Sequence, residues 1–252
     1  MNYFEALQLV KSSFLDGSEK GIVVDRIINH FKGGSLRLLD VGIGDGRYVG
    51  KIVSDLGRAK LSCSVVGVDP LPASERVVAK LYPDFRVISK RFEDFQTDEK
   101  FDMVIATHSL YYVTQVNDCI KRMVGFTKDG GLTIFVLWSD QCTLFKIYRQ
   151  YKERCNINGG NGFVTAEKAR SSLESMVGVE SIDVDSFNGR LLLSHWKSLP
   201  GILESACMVF SRDAALRTDH QINREHTENL RVILNQFQEV EPRVNGVIFV
   251  KK

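Results

Sequence analysis

Three glycines alternate in Asp40-Val41-Gly42-Ile43-Gly44-Asp45-Gly46, directly after the apolar run Leu36–Val41. Glycine there permits a tight turn and lets the backbone approach a ligand that side chains would hold off. The spacing is GxGxG, which departs from the GxGxxG of a dinucleotide pyrophosphate site. A second apolar run, Val65-Val66-Gly67-Val68, ends in Asp69-Pro70. It lies roughly 20 residues beyond the glycines, where an acid at a strand tip can accept hydrogen bonds from both hydroxyls of a ribose. Arg91-Phe92-Glu93-Asp94-Phe95 follows a third run. A carboxylate there could take an adenine amino group, and Phe92 or Phe95 could pack on its face. The fourth run leads into Thr107-His108-Ser109-Leu110-Tyr111-Tyr112-Val113. His108 either packs beside a bound ligand or acts as a general base. Tyr111 and Tyr112 are either core aromatics or the walls of a pocket.

These residues need a frame that brings loop ends together. The runs Leu36–Val41, Ser64–Val68, Phe85–Ser89, Met103–Thr107 and Leu132–Leu137 are short and mostly apolar, as strands buried on both faces are. Helical candidates lie between them at Tyr48–Leu56, Ala73–Leu81 and Val116–Phe126, and Lys128-Asp129-Gly130-Gly131 reads as a turn. Two helices precede this core, one carrying Phe4, Leu7, Val10 and Phe14, the other Ile22 to Phe31, with Ser18 as its N-cap. After the core come a helix at Leu144–Arg154 and a loop at Asn156–Gly162. A helix capped by Thr165 and running to about Val177 follows, then a strand at Val179–Phe187. A helical stretch at Leu191–Phe237 and a closing strand at Gly246–Val250 complete the chain. The expected fold is α/β, a doubly wound, mostly parallel seven-stranded sheet of Rossmann-like type. It forms one domain, with an N-terminal helical flap (1–34), a cofactor-binding core (35–140) and acceptor-side helices with closing strands (141–252).

Taken together, the glycine loop, Asp40, Asp69-Pro70 and the Glu93-Asp94 loop resemble the class I methyltransferases that use S-adenosylmethionine. The likeness spans about residues 36–137. It implies that the backbone of Gly42, Gly44 and Gly46 lies along the methionyl part of the cofactor. It places Asp69 at the ribose, Asp94 and Phe95 at the adenine, and Thr107 and His108 beneath the sulfonium. S-adenosylhomocysteine would be the product, and no metal is expected.

Leu110-Tyr111-Tyr112-Val113 resembles histamine N-methyltransferase and its relatives. So, in order along the chain, do Tyr3, Gly17-Ser18-Glu19-Lys20, Val136-Leu137-Trp138-Ser139, Phe145–Tyr151 and Asp185-Ser186-Phe187. This likeness implies that Glu19 meets a substrate amine and that Tyr112 and Tyr148 are aromatic walls, with Tyr3 in a flap. His108 stands where that family has an amide and Leu144 where it has an aromatic, so an acceptor other than histamine is expected. Trp196 is either core or pocket wall. Arg190, Arg212 and Arg217 read as a solvated face, with an acceptor carboxylate as the other use.

The expected activity is methyl transfer to a small molecule, at the nitrogen of an amine. The alternatives are an oxygen or carbon of a hydroxylated or 2-oxo acid, with His108 as base, and a non-catalytic binding module. Composition agrees with a folded enzyme: 252 residues, 44% hydrophobic, 25% charged. A net charge of +2 lacks the footprint of a nucleic-acid binder. No run is long enough to span a membrane, and the start lacks a secretion signal. Five cysteines without a CxxC pair speak against a disulfide scaffold or zinc site, and for reduced thiols in the cytoplasm. Oligomeric state is left open.

Overall fold

The computed structural model describes residues 2–157, 164–211 and 224–252. In chain order the elements are α1 (Tyr3–Lys11), β1 (Phe14–Leu15), α2 (Lys20–His30), β2 (Gly34–Val41), α3 (Arg47–Arg58), β3 (Leu61–Asp69), α4 (Pro72–Leu81), β4 (Arg86–Ser89) and β5 (Phe101–Thr107). They continue with α5 (Val116–Phe126), β6 (Thr127–Trp138), α6 (Thr143–Arg154), α7 (Ala166–Glu174), β7 (Ser181–Leu192), α8 (Leu193–Ser198), α9 (Pro200–Ser211), α10 (Arg224–Leu234) and β8 (Val240–Lys251). The sheet order is β1-β7-β8-β6-β5-β2-β3-β4. Strands β2 to β6 pair in parallel, while β8, β7 and β1 add antiparallel at one side.

The continuous apolar runs have a direct cause in the pleat. Leu38, Met103, Ile105, Ile134 and Val136 enter the core on one face of the sheet. Their neighbours Leu39, Val104, Ala106, Phe135 and Leu137 enter the core on the other. Alternate residues point to opposite faces, so a strand covered on both sides must be apolar throughout. Chain order reverses between β2 and β5, because β3 and β4 lie on one side of that pair and β6 on the other. A crevice opens at the carboxyl ends of strands at such a point.

Several expectations need correction. Among the described residues the sheet has eight strands, and Phe14–Leu15 forms a short edge strand on β7 rather than the end of a helix. Lys128–Gly131 is no turn between elements. It bulges within β6, where Thr127 pairs with Phe101 and Leu132 with Met103. Leu191 and Leu192 close β7 rather than opening the helical stretch, whose described residues form α8, α9 and α10. Helix α7 ends at Glu174, short of Val177, with Thr165 capping it as expected. Ser18 is not the N-cap of α2; that position is Glu19. Arg212, Arg217 and the loop centre at 158–163 lie outside the described residues. Among the described residues, no helix is long and apolar enough to cross a membrane.

Candidate active site

A cavity of about 1020 Å³ occupies the crevice, running from the glycine loop past the end of β5 to an aromatic inner wall. The glycine loop is held by Gly42 N–H, which donates to Val68 O at 2.7 Å, and by the Ser109 hydroxyl, which donates to Val41 O. Gly42 has φ +83°, and a Cβ there would stand 2.3 Å from Ser109 Cβ. Only glycine lets the two strand ends come this close. Asp69 ties the loop to α4: its carboxylate accepts from Gly44 N at 3.0 Å, Leu71 N at 2.9 Å and the Ser74 hydroxyl at 2.8 Å. Helix α1 covers the loop from outside, with Gln8 Nε2 3.4 Å from Asp45 Oδ2. Its start is fixed by a capping box between Asn2 and Glu5.

The floor carries polar atoms with no protein partner. Asp40 Oδ1 and Thr107 Oγ1 are buried, line the cavity and make no hydrogen bond among the described residues. Buried polar atoms are ordinarily paired, so such a set marks where a ligand supplies the partners. Burial pushes the Asp40 carboxyl up to about 8, with the Asp69 charge adding to the shift. Above its ordinary 3.8 the unfolded chain loses a proton that the folded one keeps, so stability should fall as pH rises from 3.8 towards about 8. Asp40→Asn is expected to remove that limb. Urea denaturation should show the variant gaining on the wild type between pH 5 and pH 8.5; parallel pH curves would contradict the assignment.

At the inner end lies a cluster drawn from four distant segments. Two left-handed residues, Asp16 (φ +66°) and Gly17 (φ +75°), turn the chain after β1. Glu19 follows at the start of α2, and its carboxylate does not cap that helix. It turns inward, 2% exposed, and accepts from Asn245 Nδ2 at 3.0 Å. Arg243 Nη1 lies 3.8 Å from the same oxygen, and His108 Nε2 lies 3.5 Å from the other. Burial alone would raise the Glu19 carboxyl, but the His108 contact outweighs it with help from Asn245, and the group is held at about 2. Arg243 Nη2 donates to Gly17 O at 2.6 Å, and its guanidinium sits over the rings of Phe14 and Phe187. His108 itself has φ +52°, a left-handed value uncommon for a side-chain-bearing residue. Tyr111 and Trp138 stack at 4.2 Å between ring centroids, and His108 lies beside Trp138 at 6.0 Å.

The structure brings together most of the residues singled out in the sequence. Tyr3, Glu19, Asp40, Gly42, Gly44, Asp69, Pro70, Glu93, Thr107, His108, Tyr111 and Tyr112 all line the cavity. Gly46 starts α3 in a left-handed conformation just behind the loop. Glu93 is spoken for, accepting from Thr114 N at 2.9 Å and Arg91 Nη2 at 3.0 Å. Asp94 is exposed and Phe95 is buried in the core; neither lines the cavity, whereas Phe92 does. Trp196 is fully buried against Phe210 and is core, not wall. Tyr148 packs behind Trp138 at 5.4 Å instead of facing the cavity. Arg190 is paired with Asp16 through two contacts of 2.8 Å. Sequence reasoning missed Tyr48, Arg243 and Asn245. The signal for the last two was present: polar residues two apart share a strand face, here leading into the apolar Val247–Val250.

Residues 39–135 match the family model described as "Methyltransferase domain". Among curated proteins, the ubiquinone biosynthesis O-methyltransferase of Bradyrhizobium sp. (strain ORS 278) is 33% identical over 106 residues, 39% of this chain. The same-named protein of Rhodopseudomonas palustris (strain BisB18) is 31% identical over 106 residues. The chain spans only 38% of the length of each of these relatives. Among solved structures, the YcgJ protein from Bacillus subtilis superposes with TM-score 0.65 at 10% identity, covering 93% of this chain and 98% of that one. Mycolic acid cyclopropane synthase CmaA1, complexed with S-adenosylhomocysteine (SAH) and CTAB, gives TM-score 0.58 at 16% identity, covering 91% and 83%. At these identities the two structures share the Rossmann-like fold. The finer likeness to histamine N-methyltransferase is not carried by these matches.

Proposed function

We propose that this chain is a class I, S-adenosylmethionine-dependent methyltransferase, on the premise that its residues 39–135 match a methyltransferase domain. The protein transfers a methyl group from that cofactor to a nitrogen of a small molecule. The observation that supports this most is the single cavity, which joins a nucleoside-sized glycine crevice to an enclosed aromatic end. The residues present fit the cofactor. Asp40 Oδ1 and Thr107 Oγ1 are unpartnered atoms beside the glycine loop, and a Cβ at Gly44 would meet nothing nearer than Phe4, at 3.9 Å. In this reading the Gly42–Gly46 backbone holds the methionyl part, Asp69 the ribose, and the corner at Arg91–Glu93 with Phe92 the adenine.

When bound, the cofactor supplies an electrophilic methyl group on a sulfonium. The chain's own work is then to position the acceptor and exclude water. Tyr111, Tyr112, Trp138 and Phe210 wall the inner end, and Tyr3, Phe4 and Leu7 of α1 close it from above. Glu19 is already shared among His108, Asn245 and Arg243, which leaves little free charge to grip an ammonium. That balance suits an amine that enters neutral and needs no base.

A hydroxyl acceptor is the second reading. It is favoured by the O-methyltransferase names of the curated relatives and by the contact of His108 with Glu19. Methyl transfer from labelled cofactor across amines, hydroxylated acids and 2-oxo acids, with the methyl located by NMR, decides between them. Methylation of amines is the expected result. Methylation of hydroxyls alone would move the assignment to oxygen, and turnover on RNA or protein alone would overturn both.

A further inference from the structure

The end of β5 carries a chain of hydrogen bonds whose donors and acceptors can be counted. Trp138 N–H donates to the Tyr111 hydroxyl oxygen at 2.6 Å. That hydroxyl lies 3.1 Å from His108 Nδ1. Tyr111 is buried, and burial pushes its phenol well above the ordinary range, so the group keeps its proton. With one lone pair occupied by the Trp138 amide, the phenolic proton needs an acceptor. His108 Nδ1 is the acceptor in reach among the described residues. Were Nδ1 to carry the ring proton instead, two donors would face each other and the buried phenolic proton would have no partner. The neutral ring therefore places its proton on Nε2, towards Glu19 Oε1 at 3.5 Å. Glu19, as a carboxylate, is an acceptor only and also accepts from Asn245 Nδ2, so it completes the same polarity. The left-handed backbone of His108, with its N–H on Val136 O at 2.9 Å, sets the ring between these two partners.

From this geometry we infer that Tyr111 is a positioning residue: it fixes His108 in the Nε2–H form, with that N–H turned to Glu19 and no ring nitrogen left to act as a base. The significance for catalysis rests on the methyl-transfer reading above, but the tautomer does not. With Nε2 already protonated and Nδ1 occupied, His108 has no free lone pair for an acceptor proton. The site then selects acceptors whose nucleophile carries a lone pair as bound.

The test is ring-nitrogen NMR of protein labelled in histidine, at a pH where His108 is neutral, with His108→Gln to assign its signals. A protonated Nε2 and a bare Nδ1 in the wild type are expected; a protonated Nδ1 would overturn the inference. In Tyr111→Phe the two nitrogens should move towards an averaged mixture of tautomers. An unchanged Nε2–H form in that variant would remove Tyr111 from the account. A kinetic arm separates donor from base: glutamine retains an N–H donor and cannot accept a proton at that nitrogen. His108→Gln is expected to lose roughly tenfold less kcat than His108→Ala, whereas equal losses would favour the base. Absence of all turnover would strike the functional reading alone, since the wild-type spectrum still decides the tautomer.

Discussion

Replacing Glu19 by alanine is expected to cost about 3–5 kcal/mol of folding stability, the cost of stripping a buried charge of its partner. Arg243 is 2% exposed and keeps the Gly17 carbonyl, two aromatic faces and the attraction of Asp16 once the carboxylate is gone, with no ion pair within 4 Å among the described residues. Asn245 Nδ2 and His108 Nε2 lose an acceptor in the same step. The pH dependence has a definite sign. The Glu19 carboxyl is held at about 2 against an ordinary 4.5, so its contribution is whole above pH 4.5 and is lost as pH falls towards about 2. Urea denaturation of wild type and Glu19→Ala at pH 7 and pH 3 measures both effects. A difference under about 1 kcal/mol at pH 7 would mean that the cluster is a solvated contact, as surface pairs are. Activity should vanish with the cluster, because Glu19 joins α2 and β8 to the residue that faces the acceptor.

Asp69→Ala is expected to weaken cofactor-product binding by about 1.5–3 kcal/mol, roughly tenfold to a hundredfold, if the carboxylate takes a ribose hydroxyl pair. Asp69 also tethers Gly44 N and the start of α4, so part of the loss comes from a loosened glycine loop. Asp69→Asn separates the parts, since an amide oxygen can still accept from one or two of those donors but a charged acceptor is gone. Calorimetric titration with S-adenosylhomocysteine reads both variants. An affinity unchanged in Asp69→Ala would remove Asp69 from the ribose.

The parallel half of the fold was legible because its strands are buried on two faces, which forces unbroken apolar runs from Leu36 to Leu137. The glycine loop and Asp69 were legible for a related reason: their chemistry is local to one turn and one strand tip. The inner cluster was not. Glu19, His108, Arg243 and Asn245 lie far apart in sequence, and only the pairing of β8 with β6 and β7 brings the last two to the crevice. Resemblance pointed to Glu19, but not to the Arg243 and Asn245 that hold it. Of the residues expected on the adenine side, Phe92 and Glu93 line the cavity while Asp94 and Phe95 do not, the segment forming a short 3₁₀ turn at Phe92–Asp94. Lys128–Gly131 carries the composition of a turn, yet the strand continues through it as a bulge, which composition does not distinguish from a turn.

The crevice between β2 and β5 is proposed as the seat of S-adenosylmethionine. Calorimetric titration of the wild-type protein with S-adenosylhomocysteine, with NAD as the control, tests it most directly. The account predicts binding near micromolar for S-adenosylhomocysteine and none for NAD. Binding of NAD, or of neither, would contradict the reading of the glycine loop and every cofactor assignment that depends on it.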